Sequence, residues 1–541
     1  MKKLPIVIFL VILMVIGSGC TSTQKTPTPS GIPHQKMEIA SKKISGNVYV
    51  LIDPRVELVE IIYRLSDSGW YHQTGVAPEK LSVDGYGYVM GVDEYFGRYK
   101  DAKAVQMVRK LSKNGLTYDA IPRFAIHLNP ETFELERNWS DMLRDRPWLA
   151  EKELNEFADA VKEFAEETNF WEFYNEHLEF YNRTIEEFLK ENPNLADIPK
   201  FEEEFFGEKP KGWYIVLQTA LARHSFGGWI GKGKDKEIYG FLGICHLDRF
   251  EGIPRFCPAL VHEFAHSFVN PAVDRNYELF KPYESLYNPV KERMAGMAYS
   301  DFKNMLHETL VRAFEAYYIK ETEGEAAAET RLAMEKASGF YFIDDVYKAY
   351  VEKYVPSRAK YRTFDDFMPA LAKVIGEVYE RTNGGKEVKF ETGPTVREFV
   401  EKLSEEGGII IYDGNSSAAL TLAGEIGKSL KVEAIPGKQV NEGDLKKNLV
   451  FVVLSNSSLL KELQAYMDIK VSGEEVHSEI SGKTYKGSIR VFEVIRNPWS
   501  SDKLIFIIIG TEEESLRSLH AYGNLHYSIR DADSDEMLEA G

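Results

Sequence analysis

The stretch PALVHEFAHSFVNP, residues 258–271, is apolar on almost every side except at His262, Glu263 and His266. Leu260, Val261, Phe264 and Phe268 form one stripe at helical spacing, and the neighbours of the histidines at that spacing are Ala259, Ala265 and Val269. A helix that is apolar all round is buried. Pro258 suits a first helical turn, and Asn270-Pro271 predicts that the helix stops one turn after His266. Histidines four apart share one helix face, so both imidazoles reach one metal ion. Glu263 then points beside the pair, where it can take a proton from a zinc-bound water of pKa near 7. A random H-E-x-x-H arises in roughly three chains per hundred of this length and composition. The apolar setting argues further against chance, because buried His and Glu left without partners cost several kcal/mol.

Outward from this helix, residues 213–217 (WYIVL) and 239–244 (YGFLGI) read as strands flanking a Gly-rich turn at 227–233. Residues 141–206 carry Glu, Phe, Leu and Trp at helical spacings, with Phe157, Val161 and Phe164 on one face. A strand at 48–52 leads into a helix over 56–65, and helices dominate again to about Arg381. These patterns predict an α+β domain over 46–385, mostly helical with a small sheet. NGG at 383–385 and TGP at 392–394 mark its end. Short apolar runs at 409–412, 449–454, 489–494 and 504–509, separated by helical stretches, predict a small α/β domain over 400–541. Asp413-Gly414-Asn415-Ser416, after the first of these, reads as a plain turn.

At the other end, Lys2 and Lys3 precede an apolar run over 6–16, followed by Gly17-Ser18-Gly19-Cys20. The run is short of the roughly 20 residues that cross a bilayer, and 1–20 reads as a lipoprotein-type export signal with lipidation of Cys20. Residues 21–45, rich in Thr, Pro and Ser over 21–30, read as a tether. The expected place is the outer face of the cell membrane, anchored by lipid. A net charge of −18 without a basic block argues against nucleic acid as partner. Cys245 and Cys257 are candidates for one disulfide, and the sequons at Asn138, Asn182, Asn415 and Asn456 fit an exported chain.

HEFAHSFVNP at 262–271, together with DPRVELVEIIYRL at 53–65 and HETLVRAF at 307–314, resembles an uncharacterised prokaryotic family of predicted gluzincin-type zinc peptidases. The resemblance covers about residues 46 to 380. It implies a zincin-like fold and a zinc ion held by His262, His266 and a later glutamate, and Glu308 matches the family position. Catalytic zinc takes three protein ligands and keeps one position open. Read from the residues, a helix over 301–319 buries Leu306, Leu310, Ala313 and Tyr317, while Glu308, Arg312 and Glu315 share its other face. Glu315, two turns on from Glu308, stays open as the rival ligand. Thermolysin-like peptidases place an Asp four residues after the ligand glutamate, whereas this chain has Arg312, so their supporting residues are not carried over.

An oxyanion donor is required as well. His307, Arg312, Tyr317 and Tyr318 are the candidates near the motif. In related folds an exposed strand pairs with extended substrate, and 213–217 or 239–244 could serve. His224 and His246 are lone histidines, expected to be structural. The expected function is a membrane-tethered extracellular zinc metallopeptidase acting on a peptide or protein, with Glu263 as general base. The alternatives are a binding or assembly lipoprotein with a structural metal site, and a zinc-dependent amidase.

Overall fold

Ser41–Ser45 (β1) pairs antiparallel with Val48–Leu51 (β2), so regular structure begins before residue 46 and takes 41–45 out of the expected tether. The computed structural model describes residues 37–66, 87–220, 224–247, 254–256, 259–297, 299–388, 393–517, 521, 523, 525–534 and 537–541. The signal at 1–20, Cys20, Pro258, Cys257 and the side chain of Cys245 lie outside the described residues, and with them the lipidation and disulfide expectations. Residues 39–541 form one compact α+β unit, helical for the most part with several small mixed sheets.

After β2, Asp53 caps the helix Pro54–Leu65 (α1) by accepting the Arg55 backbone N–H at 2.9 Å, and Pro54 stands in the first turn, where its missing N–H costs nothing. Every α1 residue except Arg55 is buried. Among the α-helices of eight residues or more, Gly87–Phe96 (α2), Lys103–Leu111 (α3), Glu151–Glu167 (α4), Leu178–Glu191 (α5) and Asp197–Phe206 (α6) come next. They bury Phe157, Val161 and Phe164 as their spacing predicts. Gly212–Leu217 (β3), Phe226–Ile230 (β4) and Glu237–Leu242 (β5) then complete a sheet of order β1-β2-β3-β5-β4. β3 runs parallel to β2 and β5, and β4 lies antiparallel on the outside. The expected Gly-rich turn is thus an edge strand followed by a turn at the positive-φ glycines Gly231 and Gly233. Ile244–Leu247 (β6) and Pro254–Phe256 (β7) form a separate pair.

The helix of the opening motif, Leu260–Asn276 (α7), does not stop at Pro271. A proline there removes the N–H that would bond to the Ser267 carbonyl. The buried Lys236 ammonium replaces it, donating to Ser267 O at 2.7 Å, and the helix runs on. Phe302–Glu323 (α8) starts at Asp301, which accepts the Asn304 N–H at 2.9 Å, and Glu325–Ala337 (α9) and Phe364–Arg381 (α10) follow. α7 packs against β4 and β5 on one side and against α8 and α10 on the other.

Val396–Glu406 (α11) opens the C-terminal part, with Ser417–Leu430 (α12) as its other long helix. Its strands are Gly408–Tyr412 (β8), Ala434–Pro436 (β9), Asn448–Leu454 (β10), Ile469–Ser472 (β11), Glu475–Ser478 (β12), Thr484–Lys486 (β13), Ile489–Arg496 (β14), Leu504–Gly510 (β15), Tyr527–Asp531 (β16) and Met537–Ala540 (β17). The main sheet has the order β17-β16-β14-β15-β10-β8-β9, parallel from β9 to β15 and antiparallel beyond. The four apolar runs read from the sequence are four of its five inner strands, β8, β10, β14 and β15. The turn after β8 is plain: Ser416 Oγ caps Ala419 N–H at 2.9 Å, and Glu513 accepts the Ala418 N–H at 2.8 Å. This domain does not close on itself, because Ala337 and Met334 of α9 lie in one apolar cluster with Phe399, Leu525 and Met537. Among the described residues no helix is long and apolar enough to cross a membrane.

Candidate metal centre

α7 brings His262 and His266 onto one face, and α8 lies across from it with Glu308. His262 Nε2 stands 3.2 Å from His266 Nε2 and 3.6 Å from Glu308 Oε2, while His266 Nε2 stands 3.4 Å from Glu308 Oε1. Donors bound to one tetrahedral zinc ion at about 2.05 Å lie about 3.3 Å apart. His262 Nδ1 donates to Glu315 Oε2 at 3.3 Å, and His266 Nδ1 donates to Asn270 Oδ1 at 3.2 Å. With the proton of each neutral ring on Nδ1, both Nε2 lone pairs face the Glu308 carboxylate. Three such donors repel one another unless a cation or a proton lies among them. The donor set fits a divalent ion of zinc's preferences.

The electrostatics follow from burial and these contacts. Burial pushes the Glu263 carboxyl up to about 7 against the pull of His262, and pushes His266 down to about 4. For His262 burial opposes the charged form, but the hydrogen bond to Glu315 and the charges of Glu308 and Glu263 outweigh it and raise its pKa. Glu308 is held down to about 2 despite its burial, chiefly by His266, Arg312 and His262, and Glu315 likewise to about 2 by its hydrogen bond to His262 and by Arg331.

β4 lies directly on α7. A side chain at Gly227 would run into the Glu263 carbonyl oxygen and crowd the His266 Cβ, so only glycine permits this approach. The Ser267 hydroxyl donates to Gly228 O at 3.2 Å and ties helix to strand. A cleft of about 680 Å³ opens here, lined by His262, Glu263, His266 and Glu308, by Phe226, Gly227 and Trp229 of β4, and by Asn270, Asp274, Tyr299, Lys303 and His307. A charged ladder also lines it, in which Arg146 meets Asp119 at 2.5 Å, Arg123 meets Asp145 at 2.8 Å and Arg144 Nε meets Asp145 at 3.0 Å, with the 65 % exposed Trp148.

Several sequence expectations change. β3 and β5 are both flanked by other strands, so neither offers a free edge, and β4 is the edge strand on the cleft. Tyr317 and Tyr318 point away from it, packed on Phe201, with Tyr317 also against Phe205. Arg312, an oxyanion candidate, is not among the residues that line the cleft. It donates to Glu308 Oε2 at 3.2 Å, Glu335 Oε2 at 2.8 Å and the Tyr299 hydroxyl at 3.1 Å. His307 does line the cleft, with Nε2 at 3.5 Å from Asp274 Oδ1. His224 is not among the lining residues, and the side chain of His246 lies outside the described residues. Asn270 and Asp274 stand one and two turns beyond His266 and become legible once α7 continues past Pro271. Tyr299, Arg331 and Glu335 carry no comparable signal in the sequence.

The family model for a domain of unknown function (DUF4932) matches residues 48–374, which include α7, α8 and α9 and stop short of the C-terminal sheet. The chain belongs to that family. No curated protein and no solved structure matches it.

Proposed function

We propose that this member of the DUF4932 family is a gluzincin-type zinc peptidase, held outside the cell by a lipid on Cys20, that hydrolyses peptide bonds in extended substrates. The observation that carries this reading is the convergence of His262 Nε2, His266 Nε2 and Glu308 within 3.6 Å of one another, with Glu263 on the same cleft. Zinc bound there would polarise a scissile carbonyl and acidify an attacking water. Glu263, on the same cleft, would take that water's proton and hand it to the leaving amine. Glu315 and Asn270 keep the two imidazoles in the tautomer that turns Nε2 inward. β4, with a strand partner on one side only among the described residues, would add an extended peptide as a further strand and lay its backbone beside Glu263.

The test is metal analysis of the purified protein together with a peptide-library digest by the parent and by Glu263→Gln. We expect about one zinc per chain in both proteins, and at least a hundredfold slower cleavage in the variant, in line with a positioned general base. A parent that retains no divalent metal after dialysis, or a variant that cleaves as fast as the parent, refutes the reading.

A further inference from the structure

The side chains behind the convergence point close into a ring. His262 Nδ1 donates to Glu315 Oε2 at 3.3 Å, and Arg331 Nη2 donates to the same oxygen at 2.7 Å. Arg331 Nη2 also reaches Glu335 Oε1 at 2.9 Å, and Glu335 Oε2 accepts from Arg312 Nη1 at 2.8 Å. Arg312 Nε donates to Glu308 Oε2 at 3.2 Å, and Glu308 faces His262 Nε2 at 3.6 Å, which returns to the start. From Glu315 to Glu308 the links alternate carboxylate and guanidinium. Glu335 is 3 % exposed and holds both arginines, so removing either one leaves its buried carboxylate with a single counter-charge and an unpaired oxygen.

Two members of this ring, Arg331 and Glu335, stand on α9, which contributes no residue to the group of His262, His266 and Glu308. The same helix places Met334 and Ala337 in the apolar core of the C-terminal sheet and packs against β17, the strand of Met537. A shift of α9 relative to α8 would therefore draw Glu308 and Glu315 away from the histidines together. We infer that Arg331 and Glu335 are positioning residues of the metal centre, and that through them the seat of the C-terminal domain on α9 sets the affinity for metal. This rests on the zinc reading above. Linkage makes the effect reciprocal: if the seat tightens metal binding, metal tightens the seat to the same degree.

The experiment uses the full chain, with Co²⁺ as a spectroscopic probe and Zn²⁺ titrated against a chromophoric chelator. Arg331→Gln and Glu335→Gln should each weaken metal binding by about tenfold to a hundredfold, the range for residues that orient ligands. Both should also alter the Co²⁺ ligand-field bands, and Arg331→Lys should recover part of the loss by keeping the charge without the planar fork. On the parent, which requires no variant to fold, Zn²⁺ should slow hydrogen exchange at 325–337 and 537–540 as well as in α7 and α8. Variants with parental affinity and spectrum, or zinc protection confined to α7 and α8, overturn the inference while the zinc reading stands. A parent that takes up neither Co²⁺ nor Zn²⁺ removes both.

Discussion

Glu308 and Glu315 stand two turns apart on α8 and face opposite nitrogens of the same imidazole. Glu308 lies at Nε2 of both histidines, whereas Glu315 meets Nδ1 of His262 and, on its far side, Arg331. Their losses should differ in size. Glu308→Ala removes a donor and should lower zinc affinity by more than about a hundredfold, while Glu315→Ala removes an orienting partner and should cost about ten- to a hundredfold. Competition with a chromophoric chelator measures both. A larger loss from Glu315→Ala would exchange their roles. At the same scale, the recurrence of His262 and His266 at one helical turn was legible because it needs nothing beyond the helix itself. The choice between the two glutamates was not, since it depends on the rotation of α8 against α7, and the residues alone left both open.

At the scale of elements, α7 exists in its full length because Lys236 stands in for an amide that Pro271 lacks. Lys236→Met should leave the Ser267 carbonyl buried and unpaired and destabilise the protein by about 1–3 kcal/mol. Pro271→Ala returns the N–H, so adding it to Lys236→Met should restore most of that loss, a coupling that urea denaturation of the four proteins in the cycle would show. Strict additivity would mean that the ammonium does not replace the amide. β4 and α7 are joined as closely at Gly227, where Gly227→Ala must force strand and helix apart at a cost of about 1–3 kcal/mol. An unchanged urea midpoint would count against that contact. These two places are also where local rules misread the chain. Proline ends helices and glycine runs make turns when neighbours are left out, yet here a lysine from β5's approach and the close packing of a helix reverse both outcomes. The inner strands β8, β10 and β15 were legible for the opposite reason, being buried and thus continuous apolar runs, while β14 shows the same burial with Arg490 and Glu493 set among its apolar residues.

Across the whole molecule, stability should carry a signature of Glu202 on α6. Neither of its carboxyl oxygens has a hydrogen-bond partner among the described residues, and burial raises its pKa well above the ordinary value of 4.5, with Lys236 pulling the other way. The folded state keeps a proton there that the unfolded chain gives up above pH 4.5. Stability is therefore undiminished below that pH and is lost as pH rises toward the folded pKa. Glu202→Gln should raise the urea midpoint more at pH 8 than at pH 5, and a difference that does not grow with pH would remove Glu202 from the account. The joint between α9 and β17 bears on how the molecule matures. Synthesis delivers the chain from its N-terminal side, so α7 and α8 are out and able to pair long before Met537 arrives to pack beside Ala337. Contacts that span so much of the chain form late. A newborn chain thus displays its histidines before the strand that steadies α9 has appeared, which delays full assembly of the centre until the rest of the chain is in place.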